Sequence, residues 1–252
     1  MSRLVMAEFD KLFSTRLWLV ILVACAGLTG LYACLTLMFA DEPDTWTPPL
    51  STLAGQRVLF SVAQGIGPLV AVLAAIGLTG EYRHKTVTAT FLASPRRGRV
   101  VLAKLIAYAA VGAAYGLLCA GVNAAIALPW LASDGVRLAG LAGIASTIAG
   151  VLVAITLYGL LGVGLGALLR DQVATVVGLL VYLFVAEPIL THIGALESWT
   201  RFLPGPATSA LAGNALTNQT FLPAWLGGVV LAGYGLGAAA TGIAFTVRRD
   251  VT

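Results

Sequence analysis

The sequence predicts an all-α integral membrane protein with six transmembrane helices. Three observations carry that prediction. The 252-residue chain is 59% hydrophobic and only 10% charged, with a mean hydropathy of +0.93, which is more apolar surface than a soluble core of this length can hide. Charge-free runs longer than 20 residues recur with short polar breaks, and about 20 apolar residues cross a hydrocarbon core of about 30 Å. The strict two-residue alternation of a barrel strand is absent, so backbone groups inside lipid must be paired within helices. One transmembrane domain is expected over residues 1–252.

At the N-terminus, Leu4, Val5, Phe9, Leu12 and Phe13 fall at helical spacing, with Arg3, Glu8, Asp10 and Lys11 off that face. The pattern suits a short amphipathic helix in the inner interface, and equally an ordinary juxtamembrane extension. The first span is Leu17–Phe39, a 23-residue apolar run after Arg16 that ends at ADEPDTWTPP. It is too long for the core of a signal peptide. Val58–Gly80, between Arg57 and Glu81, is the second span. Leu105–Leu131 begins after Lys104, and Leu138–Leu169 is uncharged from Arg137 to Arg170. Both exceed one bilayer and must tilt or project. The fifth span, 172–190, carries Glu187 and Pro188 at an expected bent outer end. The sixth, 224–247, runs from Pro223 to RRD.

An even number of spans puts both termini on one side, and cationic loops belong in the cytoplasm. Twelve of the fifteen Lys and Arg residues fall on the side of the termini with five acids, while Arg57, Arg137 and Arg201 lie opposite with six. Both termini are therefore expected to be cytoplasmic. The net charge of +4 reflects topology and contact with membrane lipids. It does not point to nucleic acid, because no basic helix with interleaved aromatics is present.

Few residues offer chemistry. Cys25, Cys34 and Cys119 lie in apolar runs without metal spacing, so they read as small buried hydrophobes with no disulfide. Gly112 and Gly116, Gly162 and Gly166, and Gly233 and Gly237 have GxxxG spacing, which suits close helix packing within the chain or, as the minority reading, a dimer seam. His84 in a loop and His192 near an outer edge build no Ser/His/Asp set, HExxH motif or metal site. Lys85-Thr86 is not a Walker loop, since Thr79 and His84 stand where glycines are required. The chain is expected to carry no nucleotide-hydrolysis motif, cofactor or metal. Ionisable residues at mid-membrane cost about 2.5–3.5 kcal/mol each and are usually functional. None is expected here, Asn123 being the main polar side chain of the third span.

Charge gathers instead in GEYRHKTVTATFLASPRRGRVVLAK, residues 80–104, with six Lys and Arg. Residues 83–94 read as a short cytoplasmic helix along the membrane, with Val87, Phe91 and Leu92 on an apolar edge, Thr86, Thr88 and Thr90 exposed, and Ser94-Pro95 ending it. Arg96, Arg97, Arg99 and Lys104 are expected to anchor it at inner headgroups, each worth about 1 kcal/mol. Topological anchoring explains the charge but not the helix. A rigid element with an apolar edge suits a grip by a cytoplasmic partner.

These residues resemble the permease subunits of ABC-2-type exporters. The likeness rests on Glu81 and Arg83 closing the second span, then Thr86, Leu92, Ser94 and Pro95, then Arg96 and the pair Ala103-Lys104 opening the third. Six spans, an N-terminal interfacial helix and the long segment THIGALESWTRFLPGPATSALAGNALTNQTFLPAW extend it. Lys85 departs from the family, which often has Gly before Thr there.

The resemblance implies a second permease chain, as homodimer or heterodimer, and cytoplasmic ABC ATPase (nucleotide-binding) subunits that hold ATP and Mg. It implies that 83–94 is a coupling helix, with Glu81, Arg83, Thr86, Val87, Thr90, Phe91 and Leu92 at the ATPase contact. It implies an extracellular re-entrant segment between spans five and six. Glu187 with Pro188 reads first as a solvated loop acid at the bent outer end of the fifth span, and second as a candidate outer gate. A hydrophobic or amphipathic substrate such as a drug, lipid or peptide would move outward. Trp46, Trp199 and Trp225 suit such a cargo, but ordinary interfacial anchoring is the favoured reading of them. The Ala- and Gly-rich composition fits a bacterial inner membrane. Two other readings stand beside this one: a non-transport assembly or receptor protein binding a cytoplasmic partner, and a secondary carrier.

Overall fold

Helices make up all regular structure among the residues described, 1–40, 47–86, 97–213 and 222–248, in the computed structural model. Six stretches are long and apolar enough to cross a membrane: Leu17–Phe39, Leu53–Arg83, Gly98–Ser133, Leu141–Leu169, Gln172–Thr191 and Ala224–Ala244. By that length and composition the chain is a multi-pass membrane protein. In chain order the helices are α1 (Ser2–Phe13), α2 (Leu17–Phe39), α3 (Leu53–Ser61), α4 (Gly67–Arg83), α5 (Arg97–Ser133) and α6 (Leu141–Leu169). They continue as α7 (Gln172–Val181), α8 (Glu187–Thr191), α9 (Glu197–Thr200), α10 (Pro204–Ala212) and α11 (Ala224–Arg248).

The first span matches its expected limits, and the others shift for local reasons. The second starts at Leu53 and takes Arg57 inside it, because the Thr52 hydroxyl caps α3 by accepting from the Gly55 N–H at 3.1 Å. It is also interrupted by a 3-10 turn, Val62–Ile66, before Pro68 in the first turn of α4. Proline has no N–H to give the preceding turn, so a new helix begins there more easily than the old one continues. Asn123, 1% exposed, donates to the Leu59 carbonyl at 2.9 Å just before this break. The third span reaches back to Arg97, which places Lys104 within α5. The fourth starts at Leu141 after Gly140. In the fifth, Tyr182–Ala186 widens to a π turn ahead of Pro188, whose ring crowds the carbonyl four residues earlier.

Helix α6 is the hub, packed against α3, α4, α5, α10 and α11. Small residues permit the close approach: a Cβ at Gly112 would lie 2.9 Å from the Ile155 carbonyl oxygen, and Gly162 faces the Ala71 backbone. The third glycine pair does not pack this way. A Cβ at Gly233 or Gly237 would meet open space, whereas one at Gly235 would lie 2.9 Å from the Leu160 and Leu161 backbone and one at Gly242 2.6 Å from the Ala167 backbone. The helical face that meets α6, rather than the GxxxG spacing, selects the glycines. The outer helices present large apolar side chains outward, among them Val23, Met38, Val173 and Phe184, as a surface solvated by lipid requires.

The two ends of the bundle gather the segments that the charge pattern groups together. At one end Arg83 donates to Gln172 Oε1 at 3.4 Å and Arg170 Nη2 to the Gly242 carbonyl at 3.0 Å. At the other, Gln56 donates to the Leu50 and Arg137 carbonyls at 3.0 and 2.8 Å and accepts from Ala139 N–H at 2.8 Å.

Candidate functional site

Four charged side chains from three helices close a ring at the first of these ends. Helix α1 buries Glu8 and Leu12 against the bundle. Glu8 contacts Lys11 at 2.8 Å and Lys104 in a shorter ion pair, and Glu81 in the last turn of α4 contacts Lys11 at 2.7 Å and Lys104 at 2.8 Å. Acid and base therefore alternate around the ring, so every charge has two opposite neighbours. Lys104 is 2% exposed and also approaches the Gly77 carbonyl at 3.4 Å. Buried charges persist only when paired in this way. Lys11, nearly half exposed, closes the ring toward solvent. Burial pulls its ammonium below the ordinary value, but the hydrogen bonds and charges of Glu8 and Glu81 outweigh that and raise it.

Two expectations are corrected here. Lys104 is not presented to headgroups: two turns into α5 it is 2% exposed, enclosed between Glu8 and Glu81 and facing α4 across Gly77. Glu8 does not lie off the packed face of α1, because Lys104 supplies the countercharge that lets it turn inward. Gly77 also leaves the space that the Tyr108 ring occupies. A cleft of about 360 Å³ opens beside the ring, lined by Glu8, Lys11, Gly77, Glu81, His84 and Tyr108 among others.

The chain leaves the ring through a tight helix end. Arg83 is the last residue of α4, so it does not start a new helix. Thr86 N–H donates to the Glu81 carbonyl at 3.0 Å and Lys85 N–H to the Tyr82 carbonyl at 3.2 Å. That is a Schellman cap with Lys85 in the left-handed position at φ 57°. Glycine is usual there. Val87, Thr88, Thr90, Phe91, Leu92, Ser94, Pro95 and Arg96 lie outside the described residues. Arg97 opens α5 and Arg99 on its first turn is exposed.

At the opposite end Glu187 is only 4% exposed, not a solvated loop acid. Its carboxylate accepts from Gly205 N–H in the first turn of α10, where a negative charge meets the positive end of the helix dipole. Thr208 of α10 approaches the Tyr158 hydroxyl at 3.5 Å. Pro188 follows the π turn in the first turn of α8. Glu187 and Lys104 are buried within the fifth and third of the candidate spans. Among the described residues no three His, Cys, Asp or Glu side chains are grouped to hold a metal ion, and the three cysteines are free.

Sequence reasoning named Glu81 and Lys104 but missed Glu8, Lys11 and the closure of the ring. A partial signal was present, the opposite charges three apart at Glu8 and Lys11. Comparison with known proteins adds no family: no protein-family model and no curated protein matches the sequence.

Proposed function

We propose that the chain is the transmembrane permease subunit of an ATP-driven exporter of the ABC-2 type. One observation carries this reading: the ring of Glu8, Lys11, Glu81 and Lys104 ties α1, α4 and α5 together where the 87–96 connection leaves and returns. A linkage so placed suits force transmission. If a nucleotide-binding subunit grips 87–96 through Val87, Phe91 and Leu92, its closure loads the ends of the second and third spans together, because Glu81 and Lys104 are bonded across them. Glu81, Arg83 and Thr86 then belong to the support of that contact. ATP and Mg are bound by the partner, and two permease chains enclose the path.

An apolar cleft of about 380 Å³ between α6, α7 and α11, lined by Leu161, Leu165, Tyr182, Leu183, Pro204 and Tyr234 among others, favours a hydrophobic or amphipathic cargo. The proposed setting is a bacterial inner membrane with both termini in the cytoplasm. Glu187, capping α10, is the proposed outer gate.

The test is co-purification with a candidate nucleotide-binding subunit and transport in vesicles. Wild-type protein should pull the subunit down and export substrate, while Phe91→Ala with Val87→Ala should lose both yet insert normally, as loss of apolar anchors does in small interfaces. Unchanged binding and export in that double variant would refute the coupling role. Single cysteines should react from outside at Asp134→Cys and only after permeabilisation at His84→Cys.

A further inference from the structure

Arg57 lies in the middle of α3, between the buried residues Gln56 and Val58. Its Nε is enclosed and has no hydrogen-bond partner. Its side chain lines a cleft of about 230 Å³ whose other walls, among the described residues, are Pro48, Leu53, Ala54, Val58 and Gly213, none of them acidic. An enclosed guanidinium donor without an acceptor among the described residues is costly, so an acceptor is expected to be supplied there.

Several features show a built recess. Gln56, the adjacent residue, fixes both neighbouring loops with three hydrogen bonds to Leu50, Arg137 and Ala139. Gly143 of α6 keeps the wall open: a Cβ there would lie 3.2 Å from Arg57 Nη2. At about 1.5 Å per helical residue, Arg57 sits roughly 36 Å from Glu81 along the second span. That is on the order of one bilayer thickness away from the ring.

We propose that this recess binds the phosphate of an anionic phospholipid at the membrane boundary. The planar guanidinium offers paired donors that match two phosphate oxygens, and the walls of Pro48, Leu53, Ala54 and Val58 receive the apolar part of the lipid. A zwitterionic headgroup is disfavoured, because among the described lining residues no carboxylate meets its ammonium. The proposal does not depend on the exporter reading.

The test is lipid titration of the purified protein, read by native mass spectrometry and by melting temperature. The arms are phosphatidylglycerol, phosphatidylcholine and inorganic phosphate. Wild-type protein should retain and be stabilised by phosphatidylglycerol above the other two. Arg57→Gln should weaken phosphatidylglycerol binding by roughly tenfold or more, from the loss of charge-assisted hydrogen bonds. Arg137→Gln, at an exposed position on the same end, should bind like wild type. Gly143→Ala provides a variant that keeps Arg57 and crowds the recess, and it should also bind more weakly. Undiminished phosphatidylglycerol binding in either Arg57→Gln or Gly143→Ala would overturn the site. Equal protection by inorganic phosphate would overturn the lipid assignment.

Discussion

Replacing Lys104 with methionine tests whether the ring holds the bundle together. Methionine keeps most of the side-chain volume, so the cost is electrostatic more than steric. Lys104 is 2% exposed and bonds both Glu8 and Glu81. Without it, two largely buried carboxylates share only Lys11, which is 45% exposed. Removing one partner of a buried ion pair costs about 3–5 kcal/mol. Lys104→Met should therefore destabilise by about that much in denaturant unfolding of the detergent-solubilised protein. Arg99→Gln, at an exposed position on the same helix, should change stability by less than about 0.5 kcal/mol. A double-mutant cycle isolates the coupling: Lys104→Met with Glu81→Gln should lose less than the sum of the single losses, by about 0.5–3 kcal/mol. If Lys104→Met behaves like Arg99→Gln and the cycle is additive, Lys104 is a headgroup anchor and the ring carries no load.

Lys85→Gly should stabilise the protein, because relieving the left-handed strain gains about 1–2 kcal/mol and the added freedom of the unfolded chain returns about 0.5–1 kcal/mol. A melting temperature equal to or below wild type would contradict the strained cap. Gly235→Leu should destabilise by about 1–3 kcal/mol through overpacking against α6, while Gly233→Leu should be tolerated; equal effects in thermal unfolding would refute the assigned helix face. The raised Lys11 group favours folding while it is protonated. Its contribution is thus complete below the ordinary value of 10.5 and lost as pH climbs through the raised value. Melting curves of wild type and Lys11→Met should therefore differ at pH 8 and converge at strongly alkaline pH, and a constant gap would refute that linkage.

Where the sequence read clearly, it read through solvation. Leu17–Phe39 matched to the residue, because a run of 23 uncharged apolar residues has one favourable environment and few competing structures. Arg170 and Asp171 marked the break between the fourth and fifth spans, where the Asp171 carboxylate accepts from Ala174 N–H at 2.7 Å. The Pro188 disturbance followed from covalent geometry alone. The limits at Lys104 and Arg57 shift for different reasons: Glu8 and Glu81 receive the Lys104 charge inside the bundle, whereas the Thr52 cap starts the helix ahead of Arg57.

Composition and local chemistry therefore determined the membrane class, the six spans and the grouping of loops at two ends. Those properties depend on what each segment does in lipid or water by itself. Tertiary structure alone decided that Glu8 and Lys104, 96 positions apart, are partners, that Gly235 rather than Gly233 meets α6, and that Glu187 caps α10. Each of these depends on which face one helix turns toward another. A single helix's sequence is nearly indifferent to that rotation in an apolar solvent, until a buried charge or a close backbone contact makes one orientation far less costly than the rest.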